Sequence, residues 1–185
     1  MSTRILPFPR GNFFTQGSPT PSATLGHALE GMLVRVNDEH APGNAKLLRV
    51  VRNASGADIT VVPGKLVRFS SGDTDEYGGY VAGYLASSGG VCKPLDDAYA
   101  SGAVWKANDL AYVVERGRCE LPAAQGTGTG AEFDPGDEVR GNSSGFADAT
   151  VSTGYVIGRA VEDFGTGTAT AGDESVMVQV EEGFR

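Results

Sequence analysis

Apolar and polar residues alternate in short runs along most of the chain, and the clearest run lies near its C-terminus. In Ser175–Val180, every second residue is valine, and a period of two is typical of a strand with one buried face. The apolar run Tyr155–Val161 is interrupted by Gly158, which indicates a bend or the close approach of another backbone. We therefore expect two antiparallel strands, joined by the Gly, Thr and Ala residues of 165–172.

Similar short runs recur throughout the chain, bounded by Gly, Pro, Asn and Asp. No segment keeps an apolar period of 3.6 residues, and 94–100 offers room for one helical turn. The turn 53–58 is expected to join two neighbouring strands. The pattern predicts a mainly β fold, a small antiparallel β-barrel or sandwich with an extended N-terminal arm and long loops. The further predicted strands are 29–36, 47–51, 59–62, 66–69 paired with 80–86, 110–115, 118–121, 139–140 and 149–152.

A turn followed by a strand occurs twice with similar amino-acid sequences. Pro63–Phe69 resembles Pro135–Gly141, and each is followed by a strand-like piece with a central glycine, Val81–Ala86 and Val156–Val161. A weaker third copy is Lys106–Val114. Pro-Gly and Asn-Asp before an apolar run are turn-forming sequences. The repetition is too imperfect for a solenoid, but it suits a barrel or sandwich whose hairpins are built alike.

Length and charge narrow the class of protein. A chain of 185 residues is long enough for one domain with a substantial core, and its 27 glycines favour tight turns. The net charge of −8 argues against nucleic acid as a partner, because such binding depends on cations that neutralise phosphates. No apolar run approaches the ~20 residues of a membrane span, and the N-terminus does not read as a signal peptide. Cys92 and Cys119 are expected to be reduced thiols in a protein made in the cytosol.

The first part of the chain differs from the rest. Residues 1–29 contain four prolines, three phenylalanines and two arginines without an acidic residue, so they favour extended backbone and cannot form a helix. Three interpretations stay open: a strap on the chain's own domain, an arm that anchors on another protein, and simple disorder. We divide the chain into an arm, 1–45, and a β-barrel-like body, 46–185. The candidate partner-binding residues of the arm are Arg4, Phe8, Arg10, Phe13 and Phe14.

The sequence offers little for catalysis or metal binding. Its two imidazoles, His27 and His40, lie in or beside the arm, which is poor support for a catalytic site. The acidic stretch Asp73–Glu76 lacks the spacing of a calcium loop, and Gly126–Gly130 is followed by neither Lys-Ser/Thr nor a helix, as a phosphate-binding loop requires. We expect no enzymatic activity, no cofactor and no metal site, and we place Trp105 in the core.

The repeated segments carry a resemblance to a known group. Pro63–Val67, Pro135–Val139, Gly158–Asp163 and Gly172–Asp173 before the last strand resemble the small β-barrel capsid decoration, or cement, proteins of tailed bacteriophages. The resemblance covers roughly residues 45–182. It implies a virion protein made in the host cytoplasm, which binds the major capsid protein on the outer capsid surface, often as a homotrimer, without enzymatic activity.

The chain departs from that group in its N-terminal arm and in the long region 87–130. We expect residues 1 to about 29 to lie extended over a neighbouring subunit, either another copy or the major capsid protein, and to hold the decoration in place. One alternative function is a carbohydrate- or receptor-binding module of a phage fibre, with Tyr77, Tyr80 and Tyr84 lining a groove. An enzyme is the second alternative, although no converging His, Cys or acid pair can be named.

Overall fold

The computed structural model describes residues 6–14, 29–69, 80–84, 91–124, 132–152, 155–165, 172 and 174–181, with backbone alone at 69 and 80–84. Within these ranges the chain forms strands, turns and irregular segments, and no helix. The prediction of a mainly β fold is confirmed. The strands are β1 Leu33–Asn37, β2 Ala45–Asn53, β3 Ile59–Thr60, β4 Leu66–Phe69, β5 Tyr80–Tyr84, β6 Cys92–Pro94, β7 Val104–Trp105, β8 Leu110–Pro122, β9 Glu132–Phe133, β10 Glu138–Arg140, β11 Val156–Ala160, β12 Phe164–Gly165 and β13 Ser175–Val180.

Nine of these strands form one sheet. Its order is β10-β11-β13-β8-β2-β5-β4-β6, with β1 added beside β2. The path is open, so the described strands are consistent with a β-sandwich and do not make a closed barrel. A single bridge between Leu95 and Val113 nevertheless brings the chain after β6 back to β8. The strand pairing is antiparallel, as expected, except between β2 and β5, which run parallel, and a single parallel bridge also joins Ala123 and Ala147.

Strand β8 organises the sheet. Its first part, up to Arg116, pairs with β2, and its second part, from Gly117, pairs with β13. The register shifts opposite Leu47 and Leu48, and such irregularities increase the local bend of a strand. The sequence predicted two strands here, 110–115 and 118–121. The chain instead continues as one strand through Gly117, whose φ of 122° no ordinary side chain adopts readily.

All three predicted turn-then-strand pieces are present. Turns at 63–64 and 135–136 precede β4 and β10, with positive φ at Gly64 (69°) and Gly136 (96°). The turn before β8 uses Asn108, also at a φ of 69°, a region that asparagine tolerates better than most residues. The pairing of β11 with β13 is likewise as expected. In β11, a Cβ at Gly158 would overlap the carbonyl oxygen of Gln179, which explains the glycine inside that apolar run.

Other local predictions are wrong. The segment 94–100 contains a strand end and a turn rather than a helical turn, and 149–152 is not a strand. The turn 53–58 does not close a hairpin, since β3 pairs with β7 while β2 pairs with β1, β5 and β8. These pairings join segments far apart in sequence, which a local pattern does not specify.

The core lies along the inner faces of β2, β8 and β13. Trp105 is fully buried there, as predicted, and its indole N–H donates to the Asp109 carbonyl at 2.8 Å. The cysteines are free and buried, in agreement with the expected reduced thiols. In the described part of the chain, no helix has the length and apolar character to cross a membrane.

The predicted boundary at residue 45 does not match the strand pairing. β1 lies inside the predicted arm, yet all five of its residues pair with β2. Val34 of β1 and Phe8, further upstream, both belong to the buried core. The body therefore takes in residues before 46, because the apolar face of β1 has its partner surface in β2.

Candidate functional site: the N-terminal strap and its ionic cluster

The predicted partner-binding residues fall in a segment that crosses the core, residues 6–14, here called the N-terminal strap. Phe8 is buried, and its ring stacks on Tyr112 of β8 with centroids 4.3 Å apart and planes inclined by 18°. The Tyr112 hydroxyl donates to the Phe8 carbonyl at 2.8 Å and accepts the Phe8 amide at 3.4 Å. Both backbone polar groups of this buried residue are thus satisfied, as burial requires.

The end of the strap is held by rings and by main-chain bonds. Phe13 stacks on Tyr99 at a centroid distance of 4.7 Å and lies 6.2 Å from Trp105. Phe14 and Leu110 exchange two backbone hydrogen bonds of 3.0 Å, so Phe14 extends the edge of β8 by one residue pair. These contacts attach the strap at both its apolar and its polar groups.

Arg10 makes the charged attachment. Its Nε and Nη2 donate to the two oxygens of Asp96 at 2.7 and 2.6 Å, and its Nη1 and Nη2 donate to Glu39 at 2.9 and 2.8 Å. One guanidinium therefore binds two carboxylates in the bidentate manner for which its planar shape is suited. Asp96 is completely buried, so its charge depends on this partner.

Lys46 is a second cation that contacts the same group of carboxylates. It occupies an inward position of β2, is completely buried, and donates to Glu39 and Asp97 at 2.9 Å each. His40 Nε2 lies 2.8 Å from the other Asp97 oxygen. We call these residues the ionic cluster, which consists of Arg10, Glu39, His40, Lys46, Asp96 and Asp97.

The pKa values of the cluster reflect a balance between burial and pairing. Burial alone would raise the pKa of Glu39, but hydrogen bonds from Arg10 and Lys46 outweigh it and hold that pKa well below its usual range. For Asp96, burial is the larger effect and raises its pKa, with Arg10 opposing it. Burial would lower the pKa of Lys46, but the neighbouring carboxylates raise it. The pKa values of Arg10 and Lys46 are both raised, so these two side chains stay charged at neutral pH.

Three members of the cluster have the spacing of metal ligands. Ligand atoms of Glu39, His40 and Asp97 all lie within 4.8 Å of one another. Both carboxylates already contact Lys46, and Glu39 also binds Arg10. These two cations supply the positive charge that a metal ion would bring, so the contacts present describe a structural ionic network.

The predicted site residues are thus placed as follows. Phe8 is buried against the chain's own body, and Arg10, Phe13 and Phe14 are partly buried against it, so in this conformation most of their surface is already in contact with their own chain. This arrangement corresponds to the strap interpretation of the segment. Arg4 lies outside the described residues.

Several other candidates also fall outside what the structure describes. These are His27, the acidic stretch 73–76, the glycine-rich segment 126–130, Tyr77, and the side chains of Tyr80 and Tyr84. The fibre-module alternative therefore gains no support from the described residues.

Sequence reasoning did not find the ionic cluster. One signal was available, since Lys46 stands at an inward position of the alternating strand β2, where a lysine is rarely buried without a partner. The acidic doublet Asp96-Asp97 was a second signal, but nothing local connects it with Lys46 or with Arg10.

Comparisons of the chain with protein-family models, with curated proteins and with solved structures found no match.

Proposed function

We propose that this chain is a capsid decoration, or cement, protein of a tailed bacteriophage. It would bind the major capsid protein on the outer surface of the head, as a homotrimer, and stabilise the capsid lattice. Binding to the assembled shell stabilises that state by mass action, and repetition over a symmetric lattice adds avidity to modest contacts. The proposal includes no enzymatic activity and no nucleic-acid or membrane partner.

The proposal rests on one observation: the buried charged side chains are paired with each other inside the protein. Arg10, Lys46 and Asp96 are engaged in attaching the strap to the sheet. Lys93 and Glu115, further along the sheet, contact each other at 3.5 Å. These charged groups are already paired within the chain. That supports a structural role better than a catalytic one, since a catalytic group must be able to contact a substrate.

The link to phage capsids comes from the resemblance. Its two Pro-Gly segments form turns that lead into β4 and β10, and its last segment precedes β13. These segments build parts of one sheet, which fits a rigid body placed repeatedly on a lattice. The strap adds to that rigidity because Phe8 stacks on Tyr112 and Phe14 bonds to the Leu110 backbone, both in β8.

The test is reconstitution on heads of the phage that encodes the chain, prepared from a strain lacking this gene. We expect the purified protein to appear as regular density on the outer surface in cryo-electron microscopy, and to raise the temperature at which heads rupture. The same protein heated beyond unfolding serves as the control. Heads that show no added density, or density confined to a tail fibre, would refute the proposal.

A further inference from the structure

The outer face of the sheet has a groove that the ionic cluster does not use. It has a volume of ≈ 590 Å³ and lies where β1, the β1–β2 turn, β8 and β13 meet. Leu47 forms its middle, and in register Arg35 of β1 and Arg116 of β8 stand on either side of it. With strands about 4.8 Å apart, the two arginine Cα atoms lie about 10 Å from each other. Its side chains include Arg35, Asp38, Asn44, Leu47, Arg116 and Gln179.

The guanidinium groups of these two arginines are unpaired within the described part of the chain. Both residues are exposed, and neither side chain forms an ion pair or hydrogen bond with another residue that the structure describes. Other arginines of the same face are engaged: Arg49 pairs with Glu115 at 2.9 Å, and Arg159 lies 3.6 Å from Glu138. In a chain with 23 acidic and 15 basic residues, an intramolecular partner for a cation is easy to supply.

The acid that lines the groove, Asp38, forms no ion pair with these arginines. Asp38 is buried, and its two carboxylate oxygens accept the backbone amides of His40 at 3.0 Å and Arg118 at 2.9 Å. Both oxygens of the Asp38 carboxylate are therefore occupied by backbone amides rather than by a guanidinium group. The groove presents two uncompensated guanidinium groups around a half-buried leucine.

The neighbouring strand edge favours a particular shape of ligand. Among the described strands, β1 pairs with β2 alone, so its other edge offers backbone groups for another extended chain. Leu33 on this edge is 42% exposed and Met32 just before it is 44% exposed. An extended peptide placed along β1 would meet these apolar side chains and bring its own side chains within reach of Arg35.

We propose that this groove and the free edge of β1 bind an extended, carboxylate-rich segment of the partner protein. The proposal rests on the proposed function, since it specifies the chemistry of the surface that the domain recognises. Carboxylates match the bidentate donors of Arg35 and Arg116, and side chains of alternate residues in an extended segment point to one face. The half-buried Leu47 between the two arginines favours a peptide, which can place carbon-rich side chains against it, over an anion that has none.

The experiment measures fluorescence anisotropy of a labelled peptide of alternating glutamate and threonine, with the intact chain. We expect saturable binding, which weakens as the salt rises from about 0.01 M to about 1 M and the Debye length falls from about 30 Å to about 3 Å. Arg35→Ala and Arg116→Ala should each weaken binding by roughly tenfold, which corresponds to about 1.4 kcal/mol. Lys106→Ala removes the same charge from another exposed site and should leave binding unchanged.

Two further probes decide between explanations. The counterpart peptide of lysine and threonine should not bind, and inorganic phosphate should compete weakly. The inference fails if the glutamate peptide does not bind, if Lys106→Ala weakens it as much as the arginine variants, or if phosphate binds in its place with the same dependence on the arginines. These results are obtained without phage heads, so they are independent of the test of capsid decoration.

Discussion

The ring of Phe8 lies flat on the ring of Tyr112, with centroids 4.3 Å apart, and the tyrosine hydroxyl binds the phenylalanine backbone through both its carbonyl and its amide. One residue of β8 therefore holds the strap by its apolar surface and by its polar groups together. Stacked aromatic pairs contribute more than their buried area alone. This contact makes the strap a part of the core and gives a direct way to test that role.

Phe8→Ala should destabilise the isolated chain by about 3–5 kcal/mol, because it leaves a cavity beside Tyr112. Phe14→Ala is the matched control: Phe14 is only half-buried and its backbone bonds to Leu110 stay in place, so its loss should be smaller. The free energy of unfolding is measured by urea denaturation of the purified protein, at one fixed protein concentration for all variants. Unchanged stability in Phe8→Ala would instead favour an arm whose anchor is on a neighbouring subunit.

Arg10→Met tests the charged attachment of the strap. The variant leaves Asp96 completely buried with Lys46 as its nearest cation at 3.8 Å, and loss of one partner of a buried ion pair costs about 3–5 kcal/mol. We expect a loss of this order in urea denaturation. Arg10→Met/Asp96→Asn should recover part of it, since the unpaired charge is removed as well.

The control for this prediction is Arg159→Ala. Arg159 is half exposed and its ion pairs are 3.6 and 4.0 Å long, so its removal should cost about 1 kcal/mol or less. If Arg10→Met costs no more than Arg159→Ala, the ionic cluster contributes little to holding the strap.

The pH dependence of stability should separate two acids of the cluster. The pKa of Glu39 lies below its ordinary value of 4.5, so its contribution is present above that value and is lost as the pH falls toward the folded-state pKa. Asp96 behaves in the opposite way, because burial raises its pKa above 3.8 and protonation relieves a cost in the folded state. The stability of Glu39→Gln should therefore fall less steeply than that of the wild type between about pH 5 and pH 3, and that of Asp96→Asn more steeply. Parallel curves for all three proteins would contradict this assignment.

The sequence predicted much of the secondary structure and little of the strap. Strands such as β13 can be predicted from the alternation of apolar and polar residues, and the Pro-Gly turns can be predicted from their residue types. The strap has neither signal: Phe8 becomes a core residue because Tyr112, far away in sequence, offers a ring and a hydroxyl at the right place. The contact belongs to tertiary structure, and a local pattern contains no information about it.

The same reasoning explains the errors of pairing. The parallel contact of β2 with β5 and the pairing of β3 with β7 join segments that are separated in sequence, so no local alternation specifies them. Gly117 lies between the predicted strands 110–115 and 118–121. In the fold, β8 continues through it because glycine tolerates a φ of 122° and has no Cβ that would crowd Lys46.

Both thiols should be inert in the folded protein. Cys92 and Cys119 are 1% and 0% exposed, and burial raises the pKa of Cys92 to about 11 and that of Cys119 well above its ordinary value, so little thiolate is present near neutral pH. We expect no reaction with a colorimetric disulfide reagent in native buffer and reaction of both cysteines in urea, along the unfolding curve. Rapid titration of either cysteine in native buffer would show that its site opens.

The two Pro-Gly turns provide the most closely matched comparison in the chain. Gly64 and Gly136 both have positive φ, 69° and 96°, so alanine at either pays a left-handed backbone cost of about 1–2 kcal/mol. A Cβ at Gly64 would also overlap the backbone oxygen of Glu120 in β8, whereas a Cβ at Gly136 meets nothing within 4 Å. Gly64→Ala should therefore cost about 1–3 kcal/mol more than Gly136→Ala, the usual penalty for overpacking. Urea denaturation of the two variants measures that difference directly. Equal losses of stability would mean that the turn before β4 does not lie against β8. If Gly64→Ala fails to fold while Gly136→Ala folds, the overlap with β8 is larger than this estimate, and the prediction still holds.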